Sequence, residues 1–281
     1  MTDGLLGNVY AITTGGTLST YALGTSTNGI CSDGTDLWVT DDNYPSNLLW
    51  KVTTAGSGTS YALSGGQPAS LVYGTDTYTW IASASNIPTP ITSYWHATTL
   101  GVSTGYTNFS AYYQGGNGVC IGSDGHYWFT DQYNHGVWKV VTAGTAGTFY
   151  ALSGSIPSII INGPDSNLWV TDQNGYIWKV TTAGVGTKYA LPGSFPQGLC
   201  TDGTFMWVTD SSGGTNGAYW KVTTGGGSQK FALPGAPGST SPVDCEIGPD
   251  GNLWIADNFG AIWKVNTAIT QGWTVGAVNF N

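Results

Sequence analysis

The 281-residue sequence contains no arginine and a single glutamate, Glu246, and only 8% of it is charged. An average soluble protein has about 25% charged residues. A net charge of −9 carried by scattered aspartates gives no basic footprint for nucleic acid or an anionic lipid surface, and neither partner is expected. Long apolar runs are missing too. No stretch is long enough to span a bilayer, and the first residues, MTDGLLGNVY, lack both the basic segment and the apolar core of a secretion signal. The expectation is a soluble protein of the cytoplasm or of a virion. The four cysteines stand far apart, with no CxxC and no histidine nearby, so neither a zinc site nor a disulfide framework is indicated. Sustained helical periodicity is absent as well.

What is present is repetition, with 43 glycines and 13 tryptophans arranged in register. The phrase Leu168-Trp169-Val170-Thr171-Asp172 is followed by a short turn, by Ile177-Trp178-Lys179-Val180-Thr181-Thr182, and by Lys188-Tyr189-Ala190-Leu191-Pro192-Gly193. The first phrase returns at Trp38, Trp128, Trp207 and Trp254 and more weakly at Trp80; the second returns at Trp50, Trp138, Trp220 and Trp263 and more weakly at Trp95 and Tyr10. A further apolar run precedes each first phrase, as at Gly29-Ile30-Cys31-Ser32-Asp33-Gly34. The unit is about forty residues long and reads as four antiparallel strands separated by Asp-Gly, Ala-Gly or Pro-Gly turns. In order they are strands A (GIxxxDG), B (LWVTD), C (IWKVTT) and D (TxYALxG). Each cysteine falls at one phase of strand A and reads as a small buried residue.

An all-β propeller of four-stranded blades is therefore expected, as a single domain over residues 1–281. A partial first blade covers 1–24, followed by repeats at 25–65, 66–111, 112–154, 155–193, 194–235 and 236–281. Strands A and B occur six times, whereas C and D occur seven times, because Met1-Thr2-Asp3 aligns with the end of a B strand. Seven blades with the first incomplete is the expected count, and six is the alternative. Residues 273–281 are expected to supply the last D strand and then an extra strand, 277–280, beside the amino-terminal hairpin.

The repeated tryptophans read as filler between neighbouring sheets, and the aspartate closing strand B as an acceptor for backbone N–H groups in the B–C turn. The lysine after each C-strand tryptophan reads as a solvating residue. At its fullest the pattern is GPDGNLW-[VI]-[TA]-D…IWKVTT…YALPG, seen over 163–193 and 248–267. It resembles the virginiamycin B lyase-like and NHL-type propellers. In the lyases the resemblance implies a magnesium-binding glutamate two residues before a catalytic histidine, just after a B strand. The matching positions here read Asp257-Asn258-Phe259, Asp210-Ser211-Ser212, Asp172-Gln173-Asn174 and Asp131-Gln132-Tyr133. None has the histidine, so no catalytic residue and no cofactor is assigned. His126 falls in an A–B turn and His135 in a B–C loop, at opposite ends of a blade, and His96 takes the place of a C-strand lysine. Asp244 and Glu246 share a face by alternation, and this pair could project into the central channel as a metal or water site.

The A–B and C–D turns hardly vary, while the B–C and D–A connections do. Variation on one face of a repeat protein marks its binding face. Tyr44, Asn86, Tyr133, Asn134, His135, Gln173, Asn174, Asn258 and Phe259 belong to it. Trp95 joins them as a candidate anchor because its repeat, 66–111, has lost both the capping aspartate (Ser83 stands there) and the lysine, and is crowded with aromatics. The functional expectation is a non-enzymatic module that binds a protein or glycan partner. It could stand within a larger assembly such as a bacteriophage virion, whose proteins this composition resembles. A divalent-cation-dependent lyase or lactonase and a propeller lectin are the alternatives.

Overall fold

The protein's structure, a computed structural model, describes residues 2, 7–24, 26–43, 45–84, 94–107, 118–141, 143, 146–212, 217–234, 240–268 and 276–279. It is an all-β propeller with six four-stranded blades and one two-stranded sheet. The smaller sheet pairs β1 (Asn8–Ile12) with β2 (Leu18–Ala22). Blade one is β3 (Thr27–Ser32), β4 (Leu37–Asp41), β5 (Leu48–Val52) and β6 (Gly58–Ala62). Blade two is β7 (Pro68–Tyr73), β8 (Tyr78–Ser83), β9 (Tyr94–Thr98) and β10 (Ser103–Tyr106). Blade three is β11 (Val119–Ile121), β12 (Tyr127–Asp131), β13 (Gly136–Val140) and β14 (Thr148–Ala151). Blade four is β15 (Pro157–Asn162), β16 (Leu168–Asp172), β17 (Tyr176–Val180) and β18 (Gly186–Ala190). Blade five is β19 (Pro196–Thr201), β20 (Met206–Asp210), β21 (Ala218–Val222) and β22 (Ser228–Ala232). Blade six is β23 (Pro242–Ile247), β24 (Leu253–Asp257), β25 (Ala261–Val265) and β26 (Gly276–Asn279).

In all six blades the hydrogen-bonded order is A, B, C, D, so the strands are the ones the repeat marks out. Two expectations change. The complete blades number six, the alternative count, and no extra carboxy-terminal strand stands beside β1 among the described residues. Gly276–Asn279 is itself the D strand of blade six, in the register Ala261↔Asn279 to Lys264↔Gly276. The C–D turns of blades one, two, four and five are tight, whereas here C and D are joined through residues 266–275.

The chain parts into two compact units, residues 1–13 with 17–154 and residues 14–16 with 155–281. Within each, a B-strand tryptophan fills the space against the next blade. In the first, Trp38 packs with Leu71, Ile81 and Trp95, and Trp80 with Val119, Tyr127 and Phe129. In the second, Trp169 packs with Leu199, Val208 and Trp220, and Trp207 with Cys245, Leu253 and Ile255. Alternation produces this: Trp and Thr of LWVTD stand two residues apart and share a face, so one sheet sends a large ring and a hydroxyl together toward the next blade, Thr171 donating to Gln197 O at 3.1 Å and Thr40 to Ala69 O at 2.6 Å.

A second contact sets the spacing between blades. A Cβ at Gly101 would stand 2.1 Å from the Tyr61 ring, one at Gly226 2.0 Å from the Tyr189 ring, and one at Gly56 2.1 Å from the Tyr21 ring. All three glycines have φ between 79° and 87°. The glycine in these three C–D turns is therefore selected twice, by backbone conformation and by a D-strand tyrosine laid over it from the preceding sheet. Gly226→Ala is expected to destabilise the protein by about 1–3 kcal/mol. Gly225→Ala, whose Cβ would meet only the Thr223 hydroxyl at 3.9 Å, should be nearly silent. Thermal unfolding of the two variants side by side checks this.

Candidate functional site

Two aspartates, one at either end, organise every complete blade but blade two, which keeps only the first. The A–B turn aspartate accepts the indole N–H of the B-strand tryptophan in all six blades: Trp38 to Asp33 (2.9 Å), Trp80 to Asp76 (3.1 Å), Trp128 to Asp124 (3.2 Å), Trp169 to Asp165 (2.9 Å), Trp207 to Asp202 (2.9 Å) and Trp254 to Asp250 (3.2 Å). The C-strand lysine closes over the same ring. Lys139 and Lys179 pair with Asp124 and Asp165 at 2.7 and 2.6 Å while lying 5.3 and 5.8 Å from the Trp128 and Trp169 ring centroids. These lysines are clasps and not merely solvating groups. Burial alone would raise the Asp124 carboxyl, but hydrogen bonds from Lys139, Trp128 and His126 outweigh it and hold it at about 2. Asp165 is lowered against its own burial in the same way, by Lys179, Trp169 and Asn167.

At the other end, the aspartate closing strand B accepts the indole of the C-strand tryptophan: Trp50 to Asp41 (3.3 Å), Trp138 to Asp131 (2.8 Å), Trp178 to Asp172 (2.9 Å), Trp220 to Asp210 (3.1 Å) and Trp263 to Asp257 (3.0 Å). Its second oxygen takes loop N–H groups. Asp172 Oδ1 accepts from Ile156 and Asn174 at 2.9 and 3.0 Å, and Asp257 Oδ1 from Ser241 and Phe259 at 2.9 and 3.0 Å. The residue after the aspartate then donates to the D–A connection, Gln173 to Ile156 O (3.0 Å), Ser211 to Phe195 O (3.2 Å) and Asn258 to Ser241 O (3.0 Å). The B–C and D–A loops are thus knitted together at the end where variation concentrates.

On this platform Tyr133 is 49% exposed and Phe259 62% exposed, and Asn174 and Asn258 also face solvent. Gln173 is half-buried. Asn134 is drawn inward, its backbone and side-chain nitrogens donating to Asp131 at 2.9 and 2.8 Å. His135 is exposed with φ 59°, and its carbonyl accepts from Leu152 N at 2.7 Å. Tyr44 and Asn86 lie outside the described residues. Trp95 is not a surface anchor. It is fully buried among Trp38, Leu49, Leu63, Leu71, Ile81 and Ala97, and because Ser83 replaces the capping aspartate its indole donates to Ser64 O at 3.2 Å.

The aromatics of blade two are mostly internal packing. His96 stacks on Tyr78 with centroids 3.7 Å apart and meets Trp80 edge-on, Trp80 stacks on Tyr127 at 3.8 Å, and Tyr94 stacks on Tyr106 at 5.0 Å. Burial lowers the His96 pKa against the pull of Asp76. A neutral imidazole in the lysine's place suits such a stack.

The magnesium chemistry implied by the lyase resemblance does not fit these loops. The capping aspartates are engaged by indole and backbone donors as above. Among the described positions just beyond them the one further carboxylate is Asp42 of blade one and the one imidazole is His135 of blade three; the rest carry amides, hydroxyls and aromatics. Among the described residues, no group of three His, Cys, Asp or Glu side chains could hold a metal ion. Asp244 and Glu246 do share a face of β23 and are solvent-accessible. The surrounding protein desolvates both; Asp244 is pushed up to about 6 and Glu246 is raised too, each also accepting its neighbour's backbone N–H.

The family model of the virginiamycin B lyase family matches residues 97–271. No curated protein matches. Among solved structures, a catalytically inactive virginiamycin B lyase from Staphylococcus aureus with quinupristin is 23% identical, with a TM-score of 0.75 over 89% of this chain and 83% of that one. A streptogramin B lyase structure is 20% identical, with a TM-score of 0.76 over 91% and 83%. YCF48 bound to a peptide is 12% identical, with a TM-score of 0.66 over 95% and 91%. At these identities the likeness is one of fold.

Asp172→Ala strands three donors, the indole of Trp178 and two loop N–H groups, and is expected to cost about 2–4 kcal/mol in denaturant unfolding. The acid limb follows from Asp124. Its folded pKa of about 2 lies below the ordinary aspartate value of 3.8, so its stabilisation is complete above pH 3.8 and is lost as pH falls through the folded value. Asp165 and Asp210 are lowered as well and act in the same direction. The melting temperature should therefore drop steeply between about pH 4 and pH 2, and less so in Lys139→Met. Thermal unfolding across that range measures both.

Proposed function

Since this chain belongs to the virginiamycin B lyase family, we propose that it is a non-enzymatic member whose B–C and D–A loops dock a protein partner. The observation that carries this reading is the state of the capping aspartates. In each blade that keeps one, its oxygens serve the C-strand tryptophan and the loop backbone, and among the described residues just beyond the caps the one carboxylate, Asp42, and the one imidazole, His135, stand in different blades. The loop end is left with rigid backbone and exposed rings. Tyr133 and Phe259 are large side chains that lose little entropy on contact, the kind that anchors protein interfaces, while the few charges in the chain are spent on the clasps. The fold likeness to YCF48 bound to a peptide is in keeping with such a role.

Two experiments bear on it. Incubated with magnesium and a streptogramin B lactone, the purified protein should leave the lactone closed; ring opening that His135→Ala abolishes would overturn the non-enzymatic reading. A photo-reactive phenylalanine at position 133 or 259 should form adducts with a partner in host extract, and the same probe at position 34, in an A–B turn, should not. Adducts confined to position 34 would place docking at the opposite end.

A further inference from the structure

The four cysteines all lie on inner strands, but their registers differ. Cys31, Cys120 and Cys200 pair with Trp38, Trp128 and Trp207 of their B strands, whereas Cys245 pairs with Ile255, the residue after the tryptophan. Cys245 therefore stands one place earlier than the repeat would put it. By alternation it points to the opposite side of its sheet from the other three.

In the second unit this displacement brings two thiols face to face. The place that Cys245 takes is held by Leu71 in blade two and Leu199 in blade five. These leucines turn back onto the preceding blade, Leu71 against Trp38 and Cys31, Leu199 against Trp169 and Ile161. Cys245 turns back in the same way onto Trp207 and Cys200 of blade five. Its Sγ donates to Trp207 O at 3.4 Å, and it is in hydrogen-bonding contact with the Cys200 thiol. The strands that carry the pair, β19 and β23, lie close together. A Cβ on Gly198 would stand 2.5 Å from the Asp244 Cα. The A strands that follow those of Cys31 and Cys120, Pro68–Tyr73 and Pro157–Asn162, contain no cysteine, so neither of those two thiols meets another in this manner.

We infer that Cys200 and Cys245 form a disulfide that staples blade five to blade six when the chain folds in an oxidising medium. From thiols already in contact, an S–S bond of about 2 Å is reached by side-chain rotation. The oxidant is a small-molecule disulfide. One protein thiolate attacks it and releases a first thiol, and the second protein thiolate then attacks the mixed disulfide and releases the other. The protein gives up two electrons, which the reagent gains, and the two protons end on the released thiols. The bond closes a loop that runs through β20, β21 and β22, so it restrains the unfolded chain as well as the seam between the blades.

Burial sets the timing. Cys200 is 4% exposed and Cys245 6%. Desolvation raises both thiols above their ordinary range, and the Asp244 and Glu246 carboxylates add to it. A thiol that is neither ionised nor reachable does not exchange. The bond therefore closes while blade six is docking onto blade five, before Leu253 and Ile255 seal the pair, and once closed it is shielded from reductant. This seam is separate from the B–C loops and stands or falls independently of their role.

The test refolds the full, reduced chain from denaturant with glutathione disulfide, blocks the remaining thiols with iodoacetamide and maps the peptides by mass spectrometry. A crosslink between Cys200 and Cys245 is expected, with Cys31 and Cys120 alkylated. The bridged protein should melt about 5–15 °C above the reduced one, and a phosphine reductant should erase the difference only when the chain is first unfolded. Glutathione disulfide added to the folded, reduced chain should leave Cys200 and Cys245 free. Cys245→Ser should lose the shift on oxidative refolding, whereas Cys31→Ser combined with Cys120→Ser should keep it; the mapping itself uses the unaltered chain and does not depend on a variant folding. Alkylation of all four cysteines after oxidative refolding, a crosslink between any other pair, or a bridged chain that melts no higher overturns the inference. Rapid bridging of the already folded chain overturns closure during folding.

Discussion

Everything in this propeller hangs on indole N–H groups meeting carboxylates. A tryptophan is the largest filler available for the gap between sheets, but its N–H must be satisfied once buried. Each complete blade solves this with an aspartate at the A–B turn, and five of the six repeat the solution at the opposite end. The consequence reaches beyond hydrogen bonding. The aspartate that receives the indole also closes its tight turn by accepting backbone N–H groups, so side-chain packing and chain reversal are settled by one carboxylate. In a chain with 7 cations and 16 acids, most of the charge is accounted for by this circuitry.

The non-enzymatic role proposed for this lyase-family scaffold rests on that arrangement. A capping aspartate with both oxygens engaged is a poor metal ligand and a poor base, because deprotonation and lone pairs are already put to structural use. What remains for solvent is whatever the loop adds beyond the cap. In blade three that is Tyr133 and His135, and in blade six Asn258 and Phe259. Blade two makes the same point by omission: without its cap, Trp95 turns to the Ser64 carbonyl and His96 joins an aromatic stack.

Much of this was legible in the sequence. Strand type, strand order and the ends at which turns are constant or variable follow from period-two alternation and local turn chemistry, which need only a few neighbouring residues. The backbone role of the capping aspartates was readable for the same reason. The indole acceptors and the lysine clasps were not, since they depend on which residues face one another across strands and on the ring behind them. Trp95 was misplaced because its repeat looked freed from constraint, although the packing that makes tryptophan recur there persists. The final D strand was mislocated because nothing in residues 266–275 announces where pairing resumes.

The glycine–tyrosine contact between successive sheets has a further consequence. Tyr21, Tyr61 and Tyr189 each touch the glycine of a Thr-Thr-x-Gly turn in the sheet that follows, so these blades meet their neighbours through parts common to the series. A gene encoding such a chain can gain or lose whole repeats by unequal recombination, and every new junction inherits a seam already tried elsewhere in the molecule. Copy number is free to drift while loops diversify, which suits a lineage that keeps its architecture and changes what it does.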